Sequence, residues 1–274
     1  MIAVVTGTSS GLGAALSKLM LDRGWTVIGA SRRSSREAVH HYNVDVSQEQ
    51  ECIDFITDVI DTYGTVDILV NNAGRGNHAS IEHTSTQIWR DVFAVNIDSI
   101  FWLTREVLPH MRSHEAGHII NIASMAGVMG FPYNAAYVAA KHAVVGFTAA
   151  LRAELLGTNI QATVVCPAGV ISDWGDVTEG GSTNQLYAGA IPRSRVIARE
   201  QHLQLAPLFK LMSAEAAAAI IMNAIDVGRS NDIFTHEGSR ELAEQAVTDR
   251  ITLEDRHRAL YLAMHEVYHK ERNG

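Results

Sequence analysis

Two cysteines, Cys52 and Cys166, are all that the 274 residues contain. Neither belongs to a C-x-x-C pair, and two thiols are too few for a disulfide framework or a sulfur-rich zinc site. The expected setting is therefore reducing and cytoplasmic. Positive charge is short as well: 22 Lys and Arg face 30 Asp and Glu, a formal net charge of -8. Nucleic acid and anionic membrane surfaces call for a cationic face, so neither is an expected partner. No apolar run approaches the roughly 18 residues of a membrane span. The apolar start, Met1 to Gly7, has no basic flank and is too short for a signal peptide. Internal repeats and low-complexity linkers are also missing. These absences leave a soluble globular protein as the expectation.

What is present suits one large domain over residues 1–274. Hydrophobic residues make up 47% and charged residues 19%, enough apolar material for a substantial core. Strand-like runs (Ile2–Thr6, Trp25–Ser31, His41–Asp45, Asp67–Asn71, His118–Ala123, Ile160–Cys166, Asp232–Thr235) alternate with helix-length amphipathic stretches. The helices are expected over Gly11–Arg23, Ser47–Tyr63, Thr86–Arg112, Asn134–Leu156 and Ala214–Val227, with a charged helical extension from Ser239. This β-α-β-α rhythm predicts an α/β fold: a Rossmann-type, doubly wound parallel sheet of about seven strands with helices on both faces. Gly, Ser, Thr and Pro interrupt the rhythm from Ser172 to Met212, which reads as a flexible insertion at the substrate side.

Thr6-Gly7-Thr8-Ser9-Ser10-Gly11-Leu12-Gly13 falls between the first strand and the first helix. Glycines let a backbone approach a ligand closely. A helix start offers unpaired N–H groups and a positive dipole end to a pyrophosphate. The bland alternative is a structural turn. The second strand ends in Ser31-Arg32-Arg33 with no carboxylate. An NAD site usually carries an acid there, whereas guanidiniums bind a 2′-phosphate, so NADP(H) is the expected cofactor. The alternative is a solvated basic turn. Asp45-Val46 follows the third strand, where the Asp can accept from an adenine amino group or cap the next helix.

Of seven tyrosines, only Tyr137 has a lysine, Lys141, four residues on. On a helix these share a face, and an ammonium beside a phenol lowers the phenol's pKa from about 10. A tuned tyrosine is a general acid for a carbonyl oxygen or a base for an alcohol. Ser124 ends the fifth strand, at the edge where open α/β sheets bind ligands, although a serine there also serves as a plain cap or turn.

These residues resemble the short-chain dehydrogenase/reductase family in its shorter, single-domain branch. Thr6–Gly13 is similar to the family's T-G-x-x-x-G-x-G turn and Asn71-Asn72-Ala73-Gly74 to its N-N-A-G motif. Val95-Asn96 is similar to its catalytic asparagine, and Ser124 with Tyr137-Val138-Ala139-Ala140-Lys141 to its serine and Y-x-x-x-K. The likeness runs over residues 2–172 and more weakly to 235. It implies a carbonyl/alcohol oxidoreductase in which Asn96 steadies the active-site helix and a proton-relaying water. Ser124 would polarise the substrate oxygen, Tyr137 transfer the proton, and Lys141 bind the nicotinamide ribose. Asn72, Ala73 and Gly74 would line the adenosine side, and Pro167, Val170 and Ser172 the nicotinamide. A homodimer or homotetramer is also implied. Ala168 departs from the family's Pro-Gly, and Ser172 replaces its threonine.

Two rival readings stand beside this one: a non-catalytic NADP(H)-binding sensor on the same fold, and an epimerase or dehydratase of the family's longer branch. The intact Asn96, Ser124, Tyr137 and Lys141 oppose the first. The three-residue gap between Gly7 and Gly11 opposes the second. No metal is expected. His114-Glu115-Ala116-Gly117-His118 spells H-E-x-x-H, but that site requires both histidines on one continuous helix, and here a turn into a strand is expected. His78, just after the N-N-A-G run, reads as a surface-loop histidine, the alternative being a residue that reaches a substrate pocket. Trp174, Tyr187 and Phe209 are either an apolar lid over the site or ordinary loop packing.

Overall fold

The computed structural model describes residues 1–35, 40–173, 175, 178, 183–227 and 232–273. Among these, seven strands form one parallel sheet: β1 (Ile2–Thr6), β2 (Thr26–Ala30), β3 (His40–Tyr42), β4 (Ile68–Asn71), β5 (Gly117–Ile122), β6 (Ile160–Cys166) and β7 (Ile233–Phe234). Their spatial order is β3-β2-β1-β4-β5-β6-β7, so the order reverses between β1 and β4. In open α/β sheets ligands bind outside the carboxyl ends of the strands at such a point.

Most strand residues are buried, so the two-residue alternation assigns faces rather than distinguishing inside from outside. Ala3, Val5, Ile68 and Val70 pack on one face against α1 (Gly11–Asp22) and α7 (Ala214–Asp226), supplied by Leu16, Met20, Ala217 and Ile221. Val4 and Leu69 point to the other face. There they meet Phe55, Ile56 and Val59 of α2 (Glu49–Tyr63), Leu103 and Val107 of α4 (Ser99–Ser113), and Leu151 of α5 (Ala135–Glu154). Each such large side chain, fully buried, contributes roughly 1.5–3 kcal/mol. Among the described residues no helix is long and apolar enough to cross a membrane.

Three differences from the sequence reading have physical causes. The helix expected over Thr86–Arg112 is broken: α3 (Thr86–Phe93) passes through a π-turn, Ala94–Asp98, into α4. The amide of Asn96 donates to the Val92 carbonyl (2.8 Å) and to the Arg75 carbonyl outside the helix (2.7 Å). It thus competes with the backbone ladder and bends it. The third strand stops at Tyr42 because the Asp45 carboxylate folds the chain into a turn, accepting from the Ser47 N–H (3.0 Å) and hydroxyl (2.8 Å).

The supposed flexible insertion contains an 18-residue helix, α6 (Thr183–Glu200). Leu186, Ala190 and Ile197 lie at helical spacing and are buried against Ala259, Leu260 and Met264 of α9 (Arg250–Asn273). Pro192 inside α6 disguised that pattern, since an interior proline normally argues against a helix. The extension expected from Ser239 comprises α8 (Ser239–Thr248) and α9.

Candidate active site

The turn after β1 is bolted to the end of β4. Thr6 Oγ1 accepts from the N–H groups of Asn72 (3.0 Å) and Ala73 (2.9 Å), and the Asn72 amide donates back to the Thr6 carbonyl (2.9 Å). Gly7 and Gly11 adopt φ of +73° and +56°, and a Cβ on Gly13 would stand 2.3 Å from the Gly7 carbonyl oxygen. Only glycine lets α1 start this close to β1. Ser10, at the head of α1, makes no side-chain capping bond, and no acid occupies the first turn. The leading N–H groups and the positive helix end are therefore offered to an anion. Ser9 is half-buried beside them, Leu12 is buried, and Gly74 is half-buried at the end of the N-N-A-G run. The loop after β6 leans on this turn, with Ser172 Cβ 2.8 Å from where a Gly11 Cβ would be.

At the end of β2, the Ser31 hydroxyl donates to the Arg33 carbonyl (2.7 Å). Arg32 and Arg33 are exposed, and the Arg32 guanidinium stands 4.0 Å from the Asp45 carboxylate. Asp45 thus shapes the turn before α2, and Val46 is buried behind it.

At the end of β5, Ser124 caps a short 3₁₀ turn, Met125–Gly127, accepting from the Ala126 N–H at 3.1 Å. A Cβ on Gly127 would lie 2.6 Å from the Lys141 carbonyl oxygen, so that turn can press directly onto α5. The close approach hydrogen-bonds Ser124 to the Tyr137 phenol. One helical turn on, Lys141 is buried; its Nζ donates to the Ile122 carbonyl (2.7 Å) and lies 5.7 Å from the Tyr137 ring centre. Asn96 stands in the π-turn, buried, with its Oδ1 meeting no partner among the described residues.

The electrostatics overturn one expectation. The phenol of Tyr137 is not acidified: enclosure pushes its pKa up to about 12, and only the Ser124 hydroxyl works the other way. The same desolvation brings Lys141 down to about 8. Burial penalises whichever form is charged, and here that penalty outweighs any pull of the ammonium on the phenol. Tyr137 therefore holds its proton at neutral pH.

Three neighbours escaped the sequence reading. Asn77 accepts from the Tyr137 N–H (3.3 Å) and fixes the first turn of α5. Cys166 lies behind Tyr137 and Lys141, its thiol pushed up to about 12 by burial while it accepts from the Ser124 N–H. His236 sits under the loop after β6: its Nδ1 accepts from the Ala168 N–H (3.3 Å) and its Nε2 donates to the Gly169 carbonyl (3.1 Å). Only the neutral ring with hydrogen on Nε2 satisfies both, and burial lowers its pKa in agreement. Nothing in the linear order signals Cys166 or His236; Asn77 at least follows the N-N-A-G run. Pro167 accepts from the Met125 N–H (2.8 Å), and Val170 bridges to Met212.

The surface placement expected of His78 is corrected, whereas the turn expected between His114 and His118 is present. His78 is buried, its ring 5.7 Å from that of Tyr268. Tyr187 packs in the α6/α9 cluster while Phe209 packs near Met129 and Leu242; they form no common lid, and Trp174 lies outside the described residues. His114 is exposed past the end of α4, whereas His118 is buried in β5 against Thr163 (2.8 Å).

A parallel sheet with a glycine-rich turn at its switch point, and a Ser-Tyr-Lys group at the neighbouring strand ends, defines a nucleotide-binding α/β enzyme class. The family model for short chain dehydrogenase matches residues 1–179. A Streptomyces virginiae protein named as the monensin polyketide synthase ketoacyl reductase is 34% identical over 252 residues, covering 82% of this chain and 95% of its own. A D-beta-hydroxybutyrate dehydrogenase of Rhizobium meliloti is 31% identical over 234 residues, covering 80% and 89%. Among solved structures, a short-chain dehydrogenase from Streptomyces avermitilis aligns with a TM-score of 0.76 at 25% identity, over 94% of this chain and 95% of that one. The chain belongs to the short-chain dehydrogenase/reductase family of oxidoreductases.

Proposed function

We propose that this oxidoreductase interconverts a ketone or aldehyde with an alcohol, using NADP(H), with Tyr137 as general acid and base. The observation that carries the reading is the bond between Tyr137 and Ser124 above a buried Lys141. It lies at the same carboxyl edge of the sheet as the uncapped head of α1. The residues present fit a dinucleotide. Glycine at positions 7, 11 and 13 lets the turn pack closely on Ala73, Ser172 and its own backbone, leaving the uncapped head of α1 for a pyrophosphate, and Asn72 to Gly74 flank it. Arg32, with Ser31 and Arg33, suits a 2′-phosphate, and Asp45, 4.0 Å from Arg32, is engaged with Ser47. Pro167, Val170 and Ser172 would border the nicotinamide.

When bound, NADPH supplies a hydride to the carbonyl carbon. The chain's own task is the oxygen. Ser124 and Tyr137 hold it, and Tyr137 delivers the proton, as a phenol still protonated at neutral pH can. In the oxidative direction Tyr137 first gives up its own proton to water, and the phenolate then takes the alcohol proton. Lys141 holds the ribose, and the unpartnered Asn96 Oδ1 suits a bridging water.

The test is NADPH consumption against a panel of ketones, diketones, ethyl acetoacetate and 3-hydroxybutyrate; the last two enter because the relatives are named for a ketoacyl and a beta-hydroxy acid reaction. Turnover should appear, and Tyr137→Phe should lower it by about 10²–10⁴-fold with NADPH affinity kept. Tight NADPH binding with no turnover on any member would instead favour a sensor. An association to a homodimer or homotetramer belongs to the same reading.

A further inference from the structure

We propose that the C-terminal helix α9, outside the family-matched residues 1–179, is a latch that positions the catalytic end of α5, with Tyr268 as its principal positioning residue. The inference rests on the reading of Tyr137 as proton donor.

Tyr137 is the third residue of α5. The first turn of a helix lacks internal partners for its N–H groups and frays readily, so the aim of this side chain depends on what holds the helix head. Two loops hold it. Asn77 accepts from the Tyr137 N–H, the Ala79 N–H donates to the Tyr133 carbonyl (3.0 Å), and Ala79 bridges to Asn134. Tyr133 stands at φ +62°, a left-handed conformation that a bulky side chain keeps only when its surroundings impose it.

The surroundings are α9. Tyr261, His265 and Tyr268 recur at i, i+4 and i+7, so they share one helix face. That face meets both loops. The Tyr268 hydroxyl accepts from the buried Ser80 N–H (2.9 Å), and its ring stacks on Tyr133 with centres 3.9 Å apart and planes 15° apart. His265 Nδ1 is hydrogen-bonded to the Tyr133 hydroxyl (2.8 Å), and the Tyr261 hydroxyl donates to the Gly130 carbonyl (2.8 Å). The burial of His78 follows from the same contact, since its ring lies against Tyr268. The glycine-rich turn and its N-N-A-G partner make none of these bonds. Loosening the latch should therefore disturb proton delivery and leave dinucleotide binding alone.

Two variants test this, assayed with NADPH and ethyl acetoacetate or the fastest ketone of the panel. Tyr268→Phe deletes the hydroxyl that accepts from Ser80 and keeps the ring, and Tyr268→Ala deletes the stack as well. Small misplacements of a reacting group cost up to about 10²-fold, so kcat should fall about threefold in the first and about tenfold or more in the second, with the Kd for NADPH within about twofold of native. Native kcat in both variants overturns the proposal, as does a loss of NADPH affinity that parallels the loss of kcat. If Tyr268→Ala does not fold, Tyr268→Phe decides on the same criteria. If the native protein turns over no ketone, the proposed function fails but the latch is still tested by amide hydrogen exchange. Faster exchange over residues 77–80 and 130–140 in Tyr268→Phe, with residues 1–24 unchanged, supports it. Unchanged exchange in those two segments overturns it.

Discussion

The two ends of the chain place their functional groups by different means. From β1 to β4, positions are set by backbone chemistry: positive φ at Gly7 and Gly11, a contact at Gly13 that no side chain could share, and a threonine hydroxyl that ties β1 to Asn72 and Ala73. Residues beyond Gly181 work through side-chain packing instead. There α6 and α9 bury Leu186, Ile197, Leu260 and Met264 in a cluster of their own, separate from both faces of the sheet. The lesson is that backbone rules leave a local mark in the sequence, whereas a packing surface exists only once its partner has arrived. The first half should thus answer to mutation in cofactor handling, and the second in stability and the fit of the substrate side.

The largest effect expected from that contrast is on stability. Leu186→Ala removes a fully buried side chain from the α6/α9 cluster and should cost about 2–5 kcal/mol, read as a lower denaturant midpoint. The affinity for NADPH should stay native; a matching loss of affinity would dissolve the distinction between the two ends. Smaller, and on the other side, Arg32→Asp should weaken NADPH by roughly 10- to 100-fold, the equivalent of about 1.4–3 kcal/mol, and admit NADH. Stability should hardly move, because Arg32 is exposed and its contact with Asp45 spans 4.0 Å. An unchanged preference between the two nucleotides would remove the basis for assigning NADP(H).

The mildest prediction concerns pH and sharpens the comparison where the two ends meet. Tyr137 is raised to about 12 and Lys141 lowered to about 8, so both carry their protons at pH 7. Ketone reduction consumes a proton, and its rate should hold through neutrality and decline once the pH passes about 8, where Lys141 is the first of the pair to lose its proton. Stability should move oppositely. The fold disfavours the Lys141 ammonium relative to the unfolded chain, so that cost applies in full below about 8 and fades as the pH climbs toward the ordinary lysine value of 10.5. A reduction rate that rises steadily through pH 8 would contradict this assignment of charges.

Much of the fold was legible because β1, β2, β4, β5 and β6 are apolar runs between turn signals, and α1, α2, α5 and α7 carry amphipathic spacing. What misled was chemistry that acts across distance. Asn96 looks like one more helical residue until its amide finds the Arg75 carbonyl. Pro192 hides α6 until Leu186, Ala190 and Ile197 are seen to share a buried face. The lysine four residues from Tyr137 is visible in the sequence, whereas the enclosure that dominates the pKa of both groups is not.

The sequence by itself determined the parallel α/β layering, the turn at the first strand-helix junction and the spacing of Tyr137 to Lys141. Each of these rests on periodicity or on a residue type with a restricted backbone, and both are local properties. Only the tertiary structure decided that His236 would clasp Ala168 and Gly169, that the phenol would keep its proton, and that Tyr268 would reach Ser80 across 188 positions of chain. Those outcomes depend on which surfaces exclude water from one another. Residues far apart in the chain settle that only when the whole core has closed.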